Sequence, residues 1–398
     1  MRWRDLRAAV AKDCRELFGS TSFLLLLFVA GPLTGISFIA AVRAYAEASG
    51  GLALASALSP LDGILVPTLG AYDLLTMLLA PFVAIHLIAT EKSSGALVLL
   101  LQSPLRLRTQ LASKMIALFA GWLVCLIPAA TALVLWCAYG GHLFLPETAA
   151  LFIGHTLRFL FTCSIAIAAA SIFNGAASAA IAVLSFTIGT WALDFFATGR
   201  GGWLAVAAGF TPQAMLRQFE RGLVGFSVVS ASVMLSIALL AIAAVCLDLR
   251  RRTRVLRAAI AVIVVVIAVL AVTRSAGSVD LSEDRRNSFS RADEQLLRTI
   301  DAPVTIRMHL AAEDPRANDY ERNVLTKLRR TLRDLRVEYP YAGRSGLFEN
   351  DERYGTIVYR VGDKEASSRS TTEEIVLDDL ETLAGLTPPE RGTSEYPG

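Results

Sequence analysis

Leu17-Phe-Gly-Ser-Thr-Ser-Phe-Leu-Leu-Leu-Leu-Phe-Val-Ala-Gly-Pro-Leu-Thr-Gly-Ile-Ser-Phe-Ile-Ala-Ala-Val42 is a run of 26 residues without one Asp, Glu, Lys or Arg. About 20 apolar residues rising 1.5 Å each cross the hydrocarbon core of a bilayer, so this run predicts a membrane span. The same search finds spans within 74–90, 115–146, 222–247 and 258–273. Residues 148–199 carry only Arg158 and Asp194 as charges and are long enough for two more, broken at the turn-like Asn174-Gly175. The expectation is therefore an all-α membrane protein of about seven transmembrane helices. The second and seventh spans reach full length through snorkelling flanks such as Arg257 and Arg274.

Composition agrees and adds a boundary. The 398 residues are 54% hydrophobic and 18% charged, too apolar for a soluble chain of this size. Residues 1–274 hold 20 Lys/Arg and 11 Asp/Glu, whereas 275–398 hold 18 and 24, so a solvated domain follows Arg274. The basic excess of the first part reflects topology and anionic lipid, and no nucleic-acid partner follows from it. The five cysteines (Cys14, Cys125, Cys137, Cys163, Cys246) stand singly, with no histidine at ligand spacing, so neither a disulfide framework nor a metal site is expected. The first apolar run is too long for a cleavable leader and follows a charged helix, so it is expected to stay as an anchor.

Basic residues set the orientation. One set of connections carries Arg2, Arg4, Arg7, Lys12 and Arg15, then Lys92, Arg106, Arg108 and Lys114, then Arg250, Arg251, Arg252, Arg254 and Arg257. The alternate set is poor in Lys and Arg, which places the N-terminus in the cytoplasm and, with an odd number of spans, the C-terminal domain outside. Residues 1–20 read as an interfacial amphipathic helix, with Trp3, Leu6, Val10, Cys14 and Leu17 on one face. The seventh span is placed at 256–274 and an extracytoplasmic α/β domain at 275–386. Within that domain we expect a helix capped by Ser288 or Ser290, strands at 304–310, 336–339 and 356–361, and helices at 319–335 and 372–386. Residues 387–398, rich in Pro and Gly, read as a disordered tail.

There is no G-x-x-x-x-G-K-[ST], no G-x-S-x-G and no H-E-x-x-H, so neither an ATPase nor a hydrolase is expected, and no cofactor is called for. The informative stretch is 91–114, EKSSGALVLLLQSPLRLRTQLASK, in which Ser93 or Ser94 can cap a short helix that Pro104 ends. Its leucines would face the cytosol unless a partner or the membrane surface covered them. The stretch resembles the second cytoplasmic connection of ABC type 2 exporter permeases, in Glu91, Gly95, Leu97, Leu99, Leu100, Pro104, Arg106, Arg108 and Lys114. It departs from them at Ala96, where Thr is usual, and at Val98, where Glu is usual.

The resemblance covers residues 1–250 and implies a six-span permease core over 21–250 with a coupling helix at 91–114. It further implies a separate ABC ATPase subunit that binds the ATP, and a second permease copy or related permease completing the path. The outer domain resembles the start of the auxiliary component of gliding-motility-type ABC systems, in Val279-Asp280-Leu281-Ser282, Ser288-Phe289-Ser290, Leu296-Leu297 and Pro303-Val304-Thr305-Ile306. That likeness implies a periplasmic auxiliary partner and a bacterial inner-membrane location.

Arg158 and Asp194 are costly inside a bilayer and are read as an ion pair, or as lining a substrate path beside His155 and Trp191. Residues 201–216 read as an outer re-entrant hairpin. Three functions stay open on these readings: an ATP-driven exporter permease, an ATPase-coupled transmitter of mechanical work without cargo, and a non-energised anchor or receptor.

Overall fold

The computed structural model describes residues 3–49, 59–96, 99, 102, 106–197, 207–209, 211–247, 263, 277–311, 314–341 and 353–388. Six described helices are long and apolar enough to cross a membrane. They are α2 (Thr21–Ser49), α3 (Leu61–Ser93), α4 (Leu107–Ala138), α5 (Leu145–Ile172), α6 (Ala176–Ala197) and α8 (Phe226–Leu247). They are preceded by α1 (Trp3–Phe18), and α7 (Pro212–Glu220) lies between α6 and α8. The chain breaks between α5 and α6 at Asn174-Gly175, as the turn chemistry predicts. The seventh span expected at 256–274 lies outside the described residues except Ile263, as does the tail from 389.

Two spans are longer than their charge-free runs. α2 continues through Arg43, and α3 begins at Leu61, taking in Asp62 and Asp73 where the sequence suggested an outer loop. The cause for Asp73 is a partner: its charge is matched inside the bundle, so the helix need not end there. Turns of π-helix at Leu61–Leu65 and Leu75–Leu79 flank this residue's segment.

Contacts divide the chain into two units, residues 1–192 with 212–281, and residues 193–211 with 282–398. In the first, α5 is the most enclosed span, packed by α3, α4, α7 and α8, while α1 lies along α4. The core runs through Leu61, Tyr72, Leu87, Trp122, Phe159 and Ile167. By contrast α2, α6 and α8 keep most of their apolar surface uncovered. The first unit also holds β1 (Leu223–Gly225) paired antiparallel with β2 (Ser278–Asp280). The expected boundary at 275 therefore moves to about Ser282, because 278–280 are hydrogen-bonded into the membrane unit.

The second unit carries α9 (Arg291–Leu297), whose N-cap is Ser290 accepting from the Asp293 amide, as one of the two expected caps. Its sheet has the order β4-β3-β5-β6, with β3 (Val304–Met308) parallel to β4 (Leu335–Glu338) and antiparallel to β5 (Ile357–Val361), which pairs β6 (Lys364–Ser368). Alternation puts Val304, Ile306, Met308, Ile357, Tyr359 and Val361 inward. α10 (residues 315–331) and α11 (Glu373–Ala384) cover that face with Val324, Leu328, Val376 and Leu380. Strand β6 was not expected; Lys-Glu-Ala-Ser-Ser has no apolar alternation and is held as an edge by its backbone ladder alone.

Candidate functional site

Helix α1 buries Leu6, Asp13 and Leu17 and leaves Arg4, Lys12 and Arg15 outward. An acid thus stands in the buried line, where Cys14 was expected to carry it and is only half-buried. Packing of α1 on α4 delivers the Asp13 carboxylate to the start of the third span. There it accepts from Ser113 Oγ at 2.5 Å and lies 3.4 Å from Lys114 Nζ. The Lys114 side chain is only 5% exposed and donates to the Leu87 carbonyl at 3.1 Å. Its ion pair with Glu91, 2.9 Å away at the end of α3, completes the link. Lys12 reaches the same Glu91 oxygen at 2.5 Å and Glu16 at 3.6 Å.

One carboxylate therefore fastens α1, α3 and α4 together, and its second oxygen, Glu91 Oε2, has no hydrogen-bond partner among the described residues. Burial disfavours the charged form of Lys12, but the hydrogen bond and charge of Glu91 outweigh it, holding Lys12 above the ordinary lysine value. Asp13, Glu16 and Glu91 lie close enough together to hold a metal. Lys12 Nζ, within 3.7 Å of a carboxylate oxygen of each, takes the place a cation would occupy.

The next residue joins a fourth helix. Lys92 Nζ donates to the carbonyls of Ala170, Ser171 and Phe173, the unsatisfied acceptors at the C-terminal end of α5. Gly95 then takes φ +72°, a left-handed conformation that ends α3 and that other residues adopt only with strain. Ser94 Oγ accepts from the Ala96 amide at 3.4 Å, a weak start to the following turn. Leu99 is 71% exposed. Arg106 and Arg108 are exposed at the entrance to α4, whose amide at Thr109 bonds the Arg106 carbonyl. Of the nine residues singled out in this stretch, Glu91 and Lys114 are brought into direct contact, while Leu97, Leu100 and Pro104 lie outside the described residues. Lys12, Asp13 and Ser113 were missed; the signal for Asp13 was its spacing of seven from Leu6 and four before Leu17 on the apolar stripe.

A second polar cluster lies deeper. Arg158 of α5 takes Asp73 of α3 as its ion-pair partner, at 2.8 Å, rather than the residue the sequence suggested. Asp194 is buried and is grouped with the second unit. His155, one turn away, points Nδ1 toward Asp73 at 3.6 Å, and Gln213 Nε2 donates to the other Asp73 oxygen at 3.4 Å. Helix α7 comes this close because Gly154 has no side chain; a Cβ there would stand 2.5 Å from that of Phe219. Of the region 201–216 read as a re-entrant hairpin, residues 207–209 and 211–216 are described, the last five as the first half of α7. Glu220, at the end of α7, has its carboxyl pushed up to about 7, first by burial and then by the charge of Asp73.

Comparison with protein-family models, with curated proteins and with solved structures finds no match to this chain.

Proposed function

We propose that this chain is the permease subunit of an ATP-driven ABC exporter, with a separate ATPase docking on the connection between α3 and α4. The observation that carries the reading is the Glu91 network, which ties the base of that connection to α1 and α4 while Lys92 ties it to α5. A push on the connection is thereby delivered to four helices as one rigid piece, the kind of linkage a motor needs to move spans against one another. The exposed Leu99 supplies apolar surface for the docking partner. The likeness of residues 91–114 to type 2 exporter permeases supports the same reading. The uncovered apolar faces of α2, α6 and α8 leave surface for lipid and for a second permease copy. The N-terminus and this connection face the cytoplasm on the distribution of Lys and Arg, and the C-terminal α/β domain faces outward if 256–274 spans.

The test is co-purification of the wild-type chain and of Leu99→Asp with candidate ATPase subunits after gentle extraction. Stoichiometric ATPase is expected with wild type and is expected to be lost from a Leu99→Asp chain that still inserts. An ATPase that binds neither form removes the motor from the account and leaves an anchor or receptor.

A further inference from the structure

A guanidinium carries five N–H donors, and inside a membrane each one without an acceptor is expensive. Arg158 meets one carboxylate, and its Nη1, though 2.8 Å from Asp73, is not in hydrogen-bonding geometry with any described atom. His155 Nε2 is also buried without a partner among the described residues. Beside Arg158 a shallow cleft opens between α3, α5, α6 and α7, where Thr162, Thr187, Thr190, Trp191 and Gln213 stand among apolar side chains. Three threonines, an amide and an indole beside an arginine make this cleft partly polar.

The depth of the cleft identifies its visitor. Arg158 stands 13 residues from Ser171, whose carbonyl Lys92 holds, hence about 20 Å along the helix from the Glu91 end. In a hydrocarbon core of about 30 Å that is the far leaflet, near its headgroups. Trp191, half exposed, is the residue type that sits at that level. Phe186 of α6, which also lines the cleft, is exposed and apolar, a surface suited to an acyl chain and unsuited to a free hydrated ion. Arg217 and Arg221 on and beside α7 add positive charge near Glu220.

We propose that this cleft binds the anionic phosphate headgroup of a membrane lipid, with Arg158 as the charge partner, the Thr162 hydroxyl and the Gln213 amide as secondary donors, and the acyl chain along α6. The site does not depend on the exporter reading, since occupancy needs no ATPase.

The experiment follows the thermal unfolding midpoint of the detergent-purified full chain titrated with phosphatidylglycerol, with phosphatidylcholine and with inorganic phosphate. Wild type is expected to gain several degrees with phosphatidylglycerol and nothing with the other two. Arg158→Gln leaves Asp73 unpaired and can fail to fold, so the decisive variants are Asp73→Asn with Arg158→Gln, which removes the pair together, and Thr190→Phe, which fills the cleft and keeps the pair. Both are expected to raise the half-saturating lipid concentration by about tenfold. An undiminished phosphatidylglycerol response in these variants, or none in wild type, overturns the site. An equal response to inorganic phosphate overturns the lipid as its source.

Discussion

Two buried charge clusters stand at different depths of one helix bundle, and they are built differently. Around Glu91, three carboxylates meet two ammonium groups, a serine hydroxyl and a backbone carbonyl, every charged group has an ion-pair partner, and Glu91 Oε2 alone in this cluster lacks a hydrogen bond among the described residues. Around Arg158, one cation meets one carboxylate off-line, and Asp73 Oδ1, His155 Nε2 and Arg158 Nη1 lack hydrogen bonds among the described residues. Buried ion pairs stabilise little in net terms, yet breaking one side of them is costly. A well-satisfied cluster is therefore suited to holding helices as a unit, and an under-satisfied one to receiving something else. That difference is why the first is assigned to force transmission and the second to binding.

The contrast can be broken most strongly at Lys114. Lys114→Met strands Asp13 and Glu91 in the core with only the half-exposed Lys12 opposite, and is expected to destabilise the chain by about 3–5 kcal/mol. The unfolding midpoint in detergent would drop accordingly, and a change below about 1 kcal/mol would mean the network is not a fastening. A smaller effect, about 2–3 kcal/mol, is expected for Asp73→Asn, which leaves Arg158 a neutral acceptor instead of a charge. Were Asp73→Asn to cost as much as Lys114→Met, the two clusters would be equally built and the distinction would fail.

The smallest effect is a slope. Glu220 titrates near 4.5 when unfolded and about 7 in the fold, so the folded chain retains a proton that the unfolded chain loses between those values. Stability contributed by this group falls as pH rises through that interval and is flat above it. Glu220→Gln is expected to remove that part of the pH dependence and to be more stable than wild type at pH 8, as read from midpoints taken at pH 5 and pH 8. An unchanged slope would show that the fold does not raise the Glu220 carboxyl.

Much of this was legible from residue patterns, and the failures share a cause. Searching for runs without charge located all six long helices, yet it ended the second span at Leu74 because Asp73 counts as a charge. In the fold Asp73 is neutralised by Arg158 and the helix continues to Leu61. The same habit passed over Asp13, which is buried on α1 beside the half-buried Cys14 and made tolerable by Ser113 and Lys114. Pairing across elements 60 or more residues apart leaves no local trace. Strand β6 was invisible for another reason: an edge strand built from Lys-Glu-Ala-Ser-Ser has no pattern to read. Glu91 and Lys114, by contrast, stand at the two ends of a stretch that is conspicuous in the sequence, and the fold brings them into contact.

The most direct test of the account is ATP turnover by the ATPase co-purified with this chain, reconstituted in liposomes with wild type or with Glu91→Gln. The account predicts that Glu91→Gln retains the ATPase in full amount while turnover stimulated by the membrane chain falls by about tenfold, since docking is kept and the rigid link is cut. Retained binding with unchanged turnover would contradict it, because the glutamate would then fasten helices without carrying the motor's motion.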